Sequence, residues 1–243
     1  MQKKVEGIVI STVDYKESSK IINVFTKENG IIGVIAKGSK NLKNKLHTTT
    51  SILSYGLFYL NYIENKVSSL KEVDIIDYFK EIRKDIYKTN YSLFLLELAS
   101  QVYKQERNNN IYEILISGLK KINEGYDAGV ITNIIELKLL ENLGIKPNLN
   151  YCVNCKSKND IVTISSYKGG YVCKKCVGEE YIYNTKTLKL ITMFYYLNLE
   201  KIKKIEISEP IKKELNLFIT DYYERYSGLY LKSKDFLEIL TKI

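Results

Sequence analysis

The hydrophobic period of this chain changes once, near residue 79, and the change separates two kinds of structure. Before it, short β-branched and aromatic runs alternate with polar turns, the pattern of strands. Val5–Tyr15 ends in a polar turn at Lys16–Ser19, and Lys20–Thr26 follows. Glu28-Asn29-Gly30 is a hairpin signal, because Asn and Gly accept positive φ at low cost. Ile31–Ala36 is almost wholly apolar and reads as a strand buried on both faces. A polar loop, Lys37–Thr50, leads to Ile52–Ile63 and Val67–Tyr78, which turn at Glu64-Asn65. Five short antiparallel strands of this size fit a small closed barrel. The oligonucleotide/oligosaccharide-binding (OB) fold is the leading example among several.

After Phe79, apolar residues recur at three- and four-residue intervals: Ile82, Ile86, Leu93, Leu96, Ala99, Val102 and Tyr103. That spacing predicts a helix over Ile82–Tyr103 with one buried stripe. Ile111–Ile122 is a second helix, and Asp127 caps a third that runs to Leu143, before the stop signals Gly144 and Pro147. Helices resume at about Thr185–Leu199. Ser208 is placed to cap another, with Pro210 in its first turn, running to about Tyr226. Gly228 breaks that helix, and a short one closes the chain after Ser233. The expected class is α+β: a five-stranded OB-fold nucleic-acid-binding domain over 1–79, then an α-helical domain over 80–243.

Into the helical half is set a small unit at about 148–180 that holds all four cysteines. Cys152, Cys155, Cys173 and Cys176 form the pattern Cys-x2-Cys-x17-Cys-x2-Cys. Two Cys-x2-Cys bends facing each other close a tetrahedron around one zinc ion. Ile161–Ser165 and Gly170–Val172 read as a hairpin carrying the second pair. Two disulfides are the competing reading, and a chain of 243 residues does not need such staples. Glu6 interrupts the apolar stretch that a secretory leader would need after Lys3 and Lys4. No apolar run reaches the roughly 18 residues that span a bilayer. A cytoplasmic protein with reduced thiols is therefore expected. Four sulfur ligands leave no open position for a reacting water, so the zinc is expected to be structural. The single histidine, His47, is far from the cysteines in sequence and reads as surface.

The net charge of +9 points to a polyanionic partner. Its densest cluster is the loop carrying Lys37, Lys40, Lys43 and Lys45, and no acidic residue lies between Glu28 and Glu64. Gly38 and Ser39 are small enough to let a phosphate approach the backbone. Lys16 and Lys20 flank a second loop of the same barrel. Lysine suits phosphate contact that ignores base sequence. Tyr15, Tyr55, Tyr59 and Tyr62 are candidates for stacking on bases. No dinucleotide fingerprint, nucleophile elbow or metalloprotease motif is present, and Gly33 to Ser39 lacks the Gly-Lys-Ser/Thr order of a phosphate-binding loop.

These pieces, in this order, resemble the RecO family of bacterial DNA repair and recombination mediators. The resemblance is carried by Gly7-Ile8-Val9-Ile10, Asp14-Tyr15-Lys16-Glu17-Ser18-Ser19-Lys20-Ile21, Phe25-Thr26 and Gly30. It continues in Ala36-Lys37-Gly38-Ser39-Lys40, in Glu136–Leu140 with Leu143-Gly144-Ile145-Lys146-Pro147, in the four cysteines, and in Leu231-Lys232-Ser233 with Phe236-Leu237. The resemblance implies an OB barrel, a helical domain and a zinc module. It implies binding of single- and double-stranded DNA and annealing of complementary strands. It also implies action with RecR, helping the recombinase replace single-strand-binding protein, in a nucleoid-associated bacterial setting without nucleotide hydrolysis. The basic loop departs from the family in being all lysine, which keeps charge and loses bidentate contact. An RNA-binding module with a zinc ribbon is the alternative. A zinc-dependent nucleotide-modifying enzyme would need an open metal position and a nearby acid or base. A pure protein adapter would ignore nucleic acid in a binding assay.

Overall fold

The protein is described by a computed structural model covering residues 1–234 and Leu237. The closing helix expected after Ser233 falls mostly outside the described residues, as does Phe236. The chain forms two compact units. One covers Met1–Gly125 and takes in the chain again at Ser233; the other covers Tyr126–Lys232.

The first unit begins with β1 (Gln2–Tyr15), β2 (Ser19–Thr26), β3 (Gly30–Ala36), β4 (Tyr55–Asn61) and β5 (Ser68–Asp77). They close a barrel in the order β1-β2-β3-β5-β4. All neighbours are antiparallel except β3 and β5, which pair in parallel at Val34–Ser68 and Ile35–Ser69. This is the OB connectivity. The barrel closes because β1 serves two partners: its first half pairs with β4, and its second with β2. A register shift between Val9 and Ser11 bends the strand between these duties. Side chains alternate, so Val5, Val9, Ile22, Val24, Val34, Ala36, Phe58 and Leu60 fill the interior.

One expectation needs correction here. β3 is not buried on both faces. Val34 and Ala36 are buried, whereas Ile31 and Ile35 are half-exposed. An apolar run shows hydrophobicity without showing which face is covered.

The Asn29-Gly30 turn forms as expected, with Gly30 at φ +63. A Cβ at Gly30 would collide with the phenol of Tyr103. Gly30→Ala is expected to lower stability by at least about 2 kcal/mol, combining left-handed strain with overpacking. Urea unfolding measures it; an unchanged midpoint would show that the turn relaxes freely.

A short helix α1 (Leu46–Thr49) lies in the β3–β4 connection and packs against β5. Next come α2 (Lys80–Arg83), α3 (Ile86–Gln105) and α4 (Asn110–Asn123). The helix expected over Ile82–Tyr103 is thus broken. Asp85 adopts an extended backbone, and its Oδ1 accepts from the N–H groups of Tyr87 and Lys88 at 2.8 and 3.2 Å. That cap starts α3 afresh. Barrel and helices share a core in this unit: Phe25 packs on Tyr103 and Tyr112, with ring centroids 4.9 and 5.5 Å apart.

The second unit contains α5 (Ala128–Asn142), β6 (Ile161–Ser165), β7 (Gly170–Cys173), α6 (Thr185–Tyr196) and α7 (Glu209–Tyr226). Asp127 caps α5 as expected, accepting from the Val130 N–H at 2.9 Å. Ser208 occupies the cap position of α7 but makes no side-chain cap bond, so Pro210 alone marks that start. No helix among the described residues is long and apolar enough to cross a membrane.

Candidate nucleic-acid interface and metal centre

The loop between β3 and α1 is folded upon itself. Asn41 and Asn44 close successive turns: the Asn41 N–H donates to Gly38 O at 3.1 Å, and the Asn44 N–H to Asn41 O at 2.9 Å. Asn41 Oδ1 accepts from the Lys43 N–H at 3.0 Å, and Asn44 Oδ1 from the Leu46 N–H at 2.9 Å. Ser39 is fully buried and its hydroxyl donates to Ala36 O at 2.8 Å. It therefore anchors the loop. His47 is half-buried rather than a surface residue. Its Nδ1 lies 3.0 Å from Ser39 O and ties the loop to α1.

This order brings two sequence-distant lysine groups together. Lys20 pairs with Ala36 across the β2–β3 ladder, and the Lys40 N–H donates to Ser18 O at 3.0 Å. The β1–β2 turn and the long loop therefore share one end of the barrel. Lys16, Lys37, Lys43 and Lys45 are exposed, and Lys20 is half-buried. Among the described residues none of these five forms an ion pair. Lys40 differs: its Nζ sits 3.0 Å from Asp14 Oδ2, so part of its charge is answered locally.

The tyrosines divide. Tyr55 is only 4 % exposed and donates to Glu6 Oε1 at 2.7 Å, so it belongs to the core and cannot stack on a base. Burial, with the Glu6 carboxylate adding, holds its phenol protonated. Tyr15, Tyr59 and Tyr62 remain half-exposed, and each already carries a lysine over its ring: Lys16 at 5.4 Å, Lys4 at 5.3 Å and Lys3 at 4.7 Å. Lys3 and Lys4 add positive charge to the barrel that the sequence reading passed over, because only the strand register shows what they face.

In the second unit, each Cys pair sits on a tight bend. The Lys156 N–H donates to Cys152 O at 2.9 Å, and the Cys176 N–H donates to Cys173 O at 2.9 Å. The two bends are joined by a close backbone approach. Asn148 bridges to Gly170, where a Cβ would lie 2.5 Å from Asn148 O. The Val153 N–H then donates to Tyr171 O at 2.8 Å. The four sulfur atoms lie within 4.8 Å of one another, and those of Cys155 and Cys173 are 3.5 Å apart. Disulfide sulfurs would be about 2.05 Å apart, and all four cysteines are free. A tetrahedral ion with sulfur bonds of about 2.3 Å has sulfur edges of about 3.8 Å, which this cluster matches.

The thiols do not ionise alike. For Cys152, burial opposes the charge, and hydrogen bonds from the backbone at Cys155, Cys173 and Asn154 outweigh it, pulling the pKa down to about 6. Cys176 is pushed up to about 12, first by its hydrogen bond with Cys155 and then by burial. The Cys152 thiolate thus forms readily and Cys176 resists a second charge, a conflict that a divalent cation removes.

Comparison with known proteins now bears on both sites. The sequence model "Recombination protein O N terminal" matches residues 1–79, and "Recombination protein O C terminal" matches residues 83–235. The chain belongs to the RecO family. It is 36% identical over 247 residues to the DNA repair protein RecO of Halalkalibacterium halodurans, covering 100% of this chain and 97% of that one. It is 36% identical over 242 residues to the DNA repair protein RecO of Bacillus subtilis, covering 98% and 94%. The counterpart from Bacillus velezensis is 34% identical over 242 residues. The basic barrel end and the cysteine cluster are accordingly features of a RecO chain, a DNA repair and recombination protein.

Proposed function

We propose that this RecO chain is a non-enzymatic mediator that binds single- and double-stranded DNA through its barrel and anneals complementary strands. The observation that carries this reading is the meeting of Lys16, Lys20, Lys37, Lys43 and Lys45 at one end of an OB barrel, without carboxylate partners among the described residues. Annealing brings two phosphate chains together against their repulsion. A basic surface lowers that repulsion, and base pairing supplies the driving force. Residues 1–79 act as the nucleic-acid-binding domain, with Lys40 contributing less because it faces Asp14.

Cys152, Cys155, Cys173 and Cys176 hold one structural zinc ion, in a cytoplasmic setting where thiols stay reduced. The ion supplies cross-linking between the two bends and no reactive water, since all four positions are filled by sulfur. RecR and single-strand-binding protein are the partners with which the chain exchanges strands for the recombinase.

The test is strand annealing on complementary oligonucleotides coated with single-strand-binding protein, run without ATP. Duplex should form faster with the protein than without it. A requirement for ATP, or no acceleration, would overturn the mediator reading. Competition with matched RNA separates it from an RNA-binding module: DNA should compete at least as well.

A further inference from the structure

Next to the lysine loop, the first unit has an open groove of about 740 Å³. Thr48 and Ser51 line it from α1 and the turn that follows, Ile76 from the end of β5, Tyr78 from the residue after that strand, and Lys80 and Arg83 from α2. Ile76 and Tyr78 are 49% and 45% exposed, a large apolar and aromatic surface left in solvent. Beside it Arg83 uses only neutral acceptors. Its Nε donates to Tyr78 O at 2.7 Å, and one terminal nitrogen donates to Ile52 O at 2.7 Å and to Ser51 Oγ at 3.3 Å. Among the described residues, neither Arg83 nor Lys80 forms an ion pair. Lys84 pairs with Glu81 at 2.8 Å; Asp77, a carboxylate that also lines the groove, accepts from the Phe79 N–H at 2.6 Å, a bond that orients it without supplying a counter-charge.

An aromatic face beside cations that lack counter-ions is the equipment that holds one nucleotide of a single strand. An acidic peptide would satisfy the charges as well; continuity with the loop favours the strand. Lys45 is the residue that begins α1, and Thr48 lies three residues later in the groove wall. Three residues, about 4.5 Å of helical rise, separate the backbone of Lys45 from that of Thr48, and the spacing puts both on one face of the helix. We infer that a single DNA strand lying on the lysine loop continues into this groove, with a base against Tyr78 and Ile76 and a phosphate at Lys80 and Arg83. The inference rests on the loop being a DNA-binding element.

The chain has no tryptophan, so Tyr78→Trp places a single indole in the groove. The position is exposed and tolerates the larger ring. Titration with end-labelled oligo-deoxythymidylate is followed by label anisotropy and by indole emission. Both should saturate together, with emission quenched as the base stacks on the indole. Rising anisotropy with unchanged emission overturns the groove and leaves the loop standing. Flat anisotropy overturns both. Emission that responds to an acidic peptide but not to the oligonucleotide assigns the groove to a protein partner and overturns the inference. Lys80→Ala gives an independent reading: the salt dependence of oligonucleotide binding should flatten by about 0.7 in log–log slope. An unchanged slope would remove the phosphate from Lys80.

Discussion

Removing the charges of Lys37, Lys40, Lys43 and Lys45 together is expected to weaken single-strand binding by about a hundredfold at 0.1 M salt. Each phosphate neutralised contributes about 0.7 to the log–log salt slope for a single strand. Four free lysines would give about 2.8. Lys40 already faces Asp14 at 3.0 Å, so its release of counter-ions is partly spent before DNA arrives. Three effective contacts give a slope change of about 2, which corresponds to about a hundredfold in affinity between 0.1 M and 1 M salt. The loss should be nearly the same for different base sequences, because lysine meets phosphate as a point charge. Anisotropy titrations over a salt series measure both quantities. Unchanged affinity and slope would dismiss the loop. A Lys40→Ala effect equal to that of Lys43→Ala would dismiss the argument from Asp14.

The second large effect is expected at the cysteines. Replacing Cys152 and Cys155 by Ser should abolish zinc binding, measured as metal released per chain on thiol modification, from one ion to none. Metal binding of this class carries an apparent free energy on the order of 10 kcal/mol near neutral pH, and that binding energy acts as folding energy. Hydrogen exchange should therefore quicken across 148–180, while ladder amides of the barrel keep their protection. Full zinc occupancy in the variant would refute the ligand set. Loss of metal with unchanged exchange would show that β6, β7 and the Asn148–Gly170 bridge hold the unit without it.

Some of this architecture was legible because its signals are local. β-Branched runs bounded by polar turns in Val5–Tyr15 and Lys20–Thr26 showed strands, the Asn29-Gly30 pair showed the hairpin, and Asp127 showed a helix start. The errors are equally particular. Tyr55 looked like a stacking residue, but its neighbour Glu6 lies 49 positions away in sequence and draws the phenol into the core. Ser39 was read only for its small size, and its role as an anchor appears only in its bond to Ala36 O. Arg83 drew no notice within the helical period, where a lone arginine reads as ordinary surface.

The succession of five strands and then helices, and the pairing of the cysteines in two Cys-x2-Cys bends, were legible in the sequence alone, because period and spacing depend on residues a few positions apart. Tertiary structure alone decided which lysines stand together, which one is already answered by a carboxylate, and that Tyr78 and Arg83 share a groove with α1. Those facts depend on register and closure, in which segments far apart along the chain meet, and no local pattern encodes such meetings.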